Sequence, residues 1–306
     1  MVYHESVLLR ESIDLLGVVP GGTYVDATFG GGGHSRLMLE KMGGKGRLFA
    51  FDQDEDAKRN TEQQEFSGNP SFFFVSSNFR HLKRQLRAEG VRPGSVQGVL
   101  ADLGVSSHQL DTAERGFSYR FEAALDMRMN RSDGETAADL LNTRNAAELQ
   151  RIFSEYGELR NAKTLALAVV QEREKKPFRS TGDLVELCSK NLMGERMRYL
   201  SQVFQALRME VNDELGALKD FLRDAQEMLA PQGRLAIITF HSLEDRMVKN
   251  FMKTGNVEGE LVQDFYGNIE RPWDLATKKP VEPGAEETAK NTRARSSKLR
   301  VAIKRG

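Results

Sequence analysis

Chemistry in this chain concentrates in Asp26-Ala-Thr-Phe-Gly-Gly-Gly-Gly-His34. A run of glycines removes side chains, so backbone can approach a ligand closely. Where such a run opens a helix, the unsatisfied N–H groups of the first turn face that ligand. A nucleoside-bearing molecule suits this arrangement. The dinucleotide fingerprint G-x-G-x-x-G is not met, because Gly30 and Gly32 lead to Ser35 while Gly31 and Gly33 lead to Arg36, which argues against a nicotinamide oxidoreductase. Asp52 follows about 20 residues later, where a carboxylate can accept both hydroxyls of a ribose. Asp54 and Asp56 stand ready to cap the next helix, which leaves Asp52 for the ligand. Phe79 is placed to flank a base, although an aromatic at a helix start also serves simply as packing. Two more polar clusters, Asp102-Leu-Gly-Val-Ser-Ser-His-Gln-Leu-Asp111 and Thr239-Phe-His-Ser-Leu-Glu-Asp-Arg246, contribute Asp102, Ser106, Ser107 and His241. Taken alone, the first cluster also reads as a helix cap plus a polar turn, and His241 in the second as a satisfied surface histidine.

The elements around these residues give them a common location. Residues 23–28, 47–51, 72–75 and 96–101 read as buried strands, and 36–42, 55–64 and 80–88 as the helices between them. Repeated β-α units imply a doubly wound α/β parallel sheet with ligands beyond the carboxyl ends of its strands, where the glycines, Asp52 and Asp102 fall. The next convincing strand, 234–239, comes more than a hundred residues later, far beyond an ordinary crossover. Helix-like spacing at 137–141, 146–153, 165–171 and 184–187 fills the gap, so the expectation is an all-helical insertion of roughly 80 residues. The expected boundaries are 1–132 for the first part of the sheet domain, 133–211 for the insertion and 212–306 for the remainder. Leu215, Leu218, Phe221, Leu222, Ala225, Met228 and Leu229 trace one helix face closed by Pro231-Gln-Gly233, and alternation from Leu299 to Ile303 predicts a terminal strand.

Composition excludes several classes. With 39% hydrophobic and 29% charged residues among 306, the chain is neither disordered nor membranous, and its opening stretch lacks a long apolar run. A cytoplasmic location without membrane association is the expectation. The single Cys188 excludes a disulfide framework and is expected to pack in a helix; the five scattered histidines show no metal-ligand spacing, so no metal is expected. Lys plus Arg and Asp plus Glu are each 44, leaving no global nucleic-acid signature. The stretch 290–305, with Arg293, Arg295, Lys298, Arg300, Lys304 and Arg305, is locally basic and reads either as a phosphate-contacting patch or as a solvated strand face.

Taken together, Thr28-Phe-Gly-Gly-Gly-Gly-His-Ser35, Asp102-Leu-Gly-Val-Ser-Ser-His-Gln-Leu-Asp111, Arg115-Gly-Phe-Ser118, Leu125-Asp-Met-Arg-Met129, Phe204-Gln-Ala-Leu-Arg208, Phe240-His-Ser-Leu-Glu-Asp-Arg246 and Arg293-Ala-Arg-Ser296 span nearly the whole chain. In these motifs it resembles the bacterial ribosomal RNA small-subunit methyltransferase H family, which methylates the exocyclic amino nitrogen of a cytosine near the decoding site. The resemblance implies a Rossmann-like methyltransferase sheet using S-adenosyl-L-methionine. In that reading Gly32, Gly33 and His34 contact the methionine end, Asp52 the ribose, Phe79 the adenine region, and Asp102 and Gln109 the remaining cofactor groups. It further implies that the helical insertion helps hold small-subunit ribosomal RNA, with the assembled subunit as the expected substrate; a homodimer stays open. Ser6, Ala124 and Thr292 replace family prolines, and Arg198-Tyr-Leu-Ser-Gln-Val203 stands where many members carry His-Pro-Ala-Thr-Arg, so Gln202 replaces an arginine.

Methyl transfer from a sulfonium is an in-line displacement dominated by alignment. A conjugated cytosine amine needs a hydrogen-bond acceptor and a group to take its proton. The Asp102 to Ser107 loop is the expected acceptor and His241 the proton acceptor or base-positioning group. The base must be unstacked to enter. The remaining rivals are a non-catalytic RNA-binding or assembly factor and a DNA amino-methyltransferase. The latter usually carries two prolines after its fourth-strand acid, where this chain has Leu103 and Gly104.

Overall fold

In a computed structural model of the chain, whose described residues are 6–263, 267, 269 and 271–306, the apolar runs pair as one sheet. Its strands are β1 (Thr23–Asp26), β2 (Arg47–Asp52), β3 (Phe72–Ser76), β4 (Val96–Asp102), β5 (Leu229–Thr239), β6 (Trp273–Leu275) and β7 (Lys298–Lys304). The order is β3-β2-β1-β4-β5-β7-β6. β1 to β5 are parallel, and β7 runs antiparallel between β5 and β6. Side chains alternate between two buried faces. Val25, Phe49, Phe51, Val99, Ala101, Leu235 and Ile237 pack into one core, while Tyr24, Leu48, Ala50, Leu100, Ala236 and Ile238 pack into the other. Burial on both sides explains why the strands read as continuous apolar runs.

The chain divides into two compact units, Met1–Gly104 with Gly216–Gly306, and Val105–Leu215. The second unit starts well before the expected boundary at 133, because Phe117, Leu125 and Met127 are buried in its own apolar core with Leu140, Leu149 and Phe153. Fully buried Arg115 also binds the carbonyls of Arg128 and Met129, tying 115–129 into this unit. Its far end lies at Leu215 rather than 211. The four expected helices are present and longer, as Ala137–Thr143, Ala146–Glu155, Ala162–Lys175 and Thr181–Lys190. Two more, Ser107–Asp111 and Arg196–Val211, are not among the expected ones. Cys188 is buried on the helix Thr181–Lys190, as expected, and burial pushes its thiol up to about 12.

In the sheet unit the helix expected at 55–64 is α-helical only over Glu55–Lys58 and tightens to a 3₁₀ turn over Arg59–Glu62, where the Asn60 amide donates to the Gly30 carbonyl. The Pro231-Gln-Gly stop lies inside β5, which shifts register against β4 between its pairings to Val96 and Gly98. Gln232 there has φ +65°. Among the described residues no helix is long and apolar enough to cross a membrane.

Candidate active site

The strand order reverses direction between β1 and β4, and at such a switch point the connections leave to opposite faces and open a crevice beyond the carboxyl ends. Three neighbouring strands, β2, β1 and β4, each end on an aspartate: Asp52, Asp26 and Asp102. Asp26 pairs with Ala50 and Leu100, each two residues short of its strand's terminal acid, so it lies one pleat below the other two.

Asp26 organises the loop above it. One carboxylate oxygen accepts from the Thr28 amide at 3.1 Å, and the other from the Ser35 hydroxyl at 2.7 Å. Thr28 in turn accepts the Asp102 amide through Oγ1 at 2.6 Å, stitching the loop to β4 across the switch point. Gly30 and Gly32 have φ of +49° and +78°, a left-handed conformation that favours glycine. A Cβ on Gly32 would meet the Phe66 ring at 2.7 Å, and one on Gly33 would collide with Ser6 Oγ. The helix Gly33–Met42 starts three residues earlier than its apolar pattern predicted, so its first N–H groups belong to the loop.

Asp52 is less free than the capping argument predicted, although Asp54 does cap the following helix through the Asp56 amide. Asp52 Oδ2 accepts from the Gly30 amide at 2.8 Å and Oδ1 from the Asp54 amide at 2.9 Å. Each oxygen keeps a lone pair, and the two bonds fix their direction. Burial, opposed by these bonds and assisted by the charges of Asp54 and Asp26, raises its carboxyl to about 6. Phe79 packs one side edge-on against Phe221 at 5.2 Å and stays partly exposed, compatible with both packing and base contact.

Asp102 bears the sharpest signal. Its Oδ1 is buried with no hydrogen-bond partner among the described residues. Burial first, then the charges of Asp26, Glu244 and Glu287, raise its carboxyl well above the usual range. Two residues past the end of the adjacent strand β5, His241 caps the helix Ser242–Thr254, its Nδ1 accepting from the Glu244 amide at 3.4 Å. A ring nitrogen that accepts carries no proton, so the proton of neutral His241 sits on Nε2. That Nε2 is buried 3.2 Å from Glu244 Oε1 without forming a hydrogen bond. His241 therefore offers a donor, and the expected proton-acceptor role conflicts with the cap.

His34 lies in the loop, but its side chain is buried and points away from a ligand role: Nε2 contacts the Val7 carbonyl at 3.2 Å, and burial lowers its pKa. That leaves its backbone, not its ring, facing the loop. Ser106, Ser107 and Gln109 belong to the second unit. There Ser106 and Gln109 form a reciprocal capping box on the helix Ser107–Asp111, with Gln109 Oε1 accepting the Ser106 amide at 2.9 Å. Asp26 was missed from sequence, although the recurrence of an apolar run ending in Asp at Asp26, Asp52 and Asp102 was visible.

In the basic stretch, Arg300 is held by Asp245 at 2.7 and 3.0 Å, Arg305 by Asp274, and Lys304 by the carbonyls of Gln226 and Leu229. Arg300 and Lys304 are structural cations, whereas Arg305 and Asp274 form a half-exposed surface pair. Arg295 is exposed, and Lys298 lies 3.9 Å from the Asp245 already engaged by Arg300.

A glycine loop at the first strand, oriented carboxylate oxygens at the second and an orphaned carboxylate at the switch point make a cradle for a polar nucleoside that carries cationic groups. With the sheet order, these features define an S-adenosyl-L-methionine-dependent methyltransferase. The chain belongs to the MraW methylase family, whose model matches residues 1–305. It is 52% identical over 304 residues to the ribosomal RNA small subunit methyltransferase H of Bacteroides fragilis (strain YCH46), covering 99% of this chain and 98% of that protein. The proteins of that name from Cytophaga hutchinsonii and Flavobacterium johnsoniae are 50% and 48% identical, covering 98% and 99% of this chain and 99% and 98% of theirs.

Proposed function

We propose that this enzyme methylates the exocyclic amino nitrogen of one cytidine near the decoding site of small-subunit ribosomal RNA, in the assembled subunit and in the cytoplasm. The substrate class follows from end-to-end similarity to relatives named for that RNA. The observation that carries the chemistry is a buried acceptor without a partner, Asp102 Oδ1 at the end of β4, with the buried His241 Nε2 two residues past the end of neighbouring β5 and 3.2 Å from Glu244 Oε1. A cytosine edge offers the matching amine N–H and a ring or carbonyl acceptor.

S-adenosyl-L-methionine, when bound, supplies an electrophilic methyl group. The loop amides from Gly32 to His34 and the carboxylate of Asp52 hold and orient it, with Phe79 beside the base. Asp102 accepts an N–H, and its raised pKa makes it a stronger proton acceptor than an ordinary carboxylate. His241 donates to the base and fixes its angle of approach. Within the second unit, the Ser106 hydroxyl spends one lone pair on the Gln109 amide and keeps its proton for donation. The unit Val105–Leu215 serves as the RNA-holding part, where Gln202 lies half-exposed on the helix Arg196–Val211.

The test is incubation with labelled S-adenosyl-L-methionine and, separately, naked ribosomal RNA, small subunits lacking the modification, and DNA, followed by nucleoside mapping. Label on one cytosine amino group in the subunit is the expected result. Label on DNA, or cofactor binding with no transfer to any of the three, would overturn it, the second outcome pointing to an assembly factor that binds without turnover.

A further inference from the structure

Three consecutive residues near the start of the chain run past the glycine loop, and each meets a different partner. Ser6 occupies the space a side chain at residue 33 would need. The Val7 carbonyl contacts His34 Nε2 at 3.2 Å inside the core. Leu8 has φ +50°, costly for a branched side chain, and its amide donates to Glu287 Oε1 at 2.8 Å from the helix Ala285–Lys290. Glu287 is also among the charges that bear on the orphaned Asp102. A chain of contacts therefore runs from the β1 loop through His34, Val7 and Leu8 to Glu287.

We propose that residues 6–8 are a strap holding the glycine loop in its ligand-binding conformation, latched at one end by His34 and at the other by Glu287. Both latches are positioning residues for cofactor retention. His34 acts through Val7 rather than by touching the ligand with its ring. The left-handed Leu8 is the bend that lets one segment reach both latches. The absent Cβ at Gly33 is what allows the strap to lie against the start of the helix Gly33–Met42. The proposal rests on the methyltransferase class and not on the RNA substrate, so it is tested with cofactor alone.

The experiment compares full-length H34A, H34Q, E287A, E287Q and the H34A/E287A double variant with the parent. It measures S-adenosyl-L-methionine dissociation by stopped flow and amide exchange at Leu8 by hydrogen–deuterium exchange. Losing either latch is expected to raise the dissociation rate about tenfold, the scale of one buried hydrogen bond. E287Q keeps an acceptor and H34Q keeps a donor, so both are expected near the parent. The double variant is expected to match the worse single variant, because a strap freed at one end gains little from release at the other. E287A is expected to speed Leu8 exchange. Parental dissociation rates in H34A and E287A, or additive effects in the double variant, would overturn the strap, as would unchanged Leu8 exchange in E287A. Should H34A fail to fold, E287A against E287Q carries the same decision. Failure of the class reading would look different, since the parent itself would then bind no cofactor.

Discussion

At the residue scale, the acids at the strand ends set opposite pH demands on binding and on folding. Asp52 has a folded-state pKa of about 6 against an ordinary value of 3.8, so between those values the folded chain binds more protons than the unfolded one. Stability from this group therefore falls as pH rises through that window and is regained on acidification. The proposed ribose contact needs the ionised form, because only a carboxylate accepts two ribose hydroxyls. Titration calorimetry from pH 5 to 8 is expected to show affinity flat above about pH 7 and falling toward tenfold per pH unit well below the Asp52 pKa. A flat profile down to pH 5 would remove Asp52 from the ribose contact. Asp102 poses a different question, because one oxygen cannot serve cofactor and substrate amine equally. D102A is expected to raise the melting temperature of the cofactor-free protein, since it removes a buried acid with an orphaned oxygen. Cofactor affinity lost by about tenfold or more would place Asp102 on the cofactor, on the scale of a charged hydrogen bond. Parental affinity with lost turnover would place it on the amine.

At the element scale, the loop after β1 was the most legible part of the site, and its individual glycines do different work. Gly32 combines φ +78° with the Phe66 ring where a Cβ would go, whereas Gly30 at φ +49° has only the Thr28 carbonyl, 3.9 Å away. G32A is expected to destabilise by about 3 kcal/mol and to abolish cofactor binding, because left-handed strain and overpacking add. G30A is expected to cost about 1 kcal/mol from strain alone. Chemical denaturation of both variants checks the contrast. The strands were readable because burial on both faces leaves long apolar runs, and the antiparallel β7 because it alternates. Three-residue β6 carries too little pattern to be seen. The helix Arg196–Val211 opens on Arg196-Met-Arg198, which hides a buried series from Tyr199 to Leu207. The shortened helix after β2 was illegible for another reason, since Asn60 turns toward the Gly30 carbonyl and tertiary contact overrides local propensity. The inward turn of the His34 ring was illegible too: sequence shows a histidine beside glycines, but not the distant carbonyl of Val7 that its Nε2 contacts.

At the scale of the whole molecule, a chain with equal numbers of acidic and basic residues must bind a polyanion through local surfaces, and structural pairing decides which cations can serve. The C-terminal stretch looked uniformly basic in sequence, yet its members separate by partner. Arg300 and Asp245 are both mostly buried, at 17% and 15% side-chain exposure, so R300E would set two acids against each other beneath the surface. It is expected to cost about 3 kcal/mol of folding stability, as for breaking a buried pair. Any loss of RNA binding in that variant would then be secondary to unfolding. Arg295 and Lys298 can change sign more safely, since the first is exposed and the second stands 3.9 Å from an acid already paired to Arg300. If the proposed function holds and this edge contacts phosphates, R295E/K298E should keep its melting temperature and its cofactor affinity while losing affinity for small-subunit RNA. Its salt dependence should weaken too, because each phosphate contact removed lowers the slope of log affinity against log salt by about 1. Filter binding across a salt series reads this directly, with a slope shallower by up to about 2 as the expected value. An unchanged slope with intact folding would move the phosphate contacts off this edge and onto the helical unit Val105–Leu215.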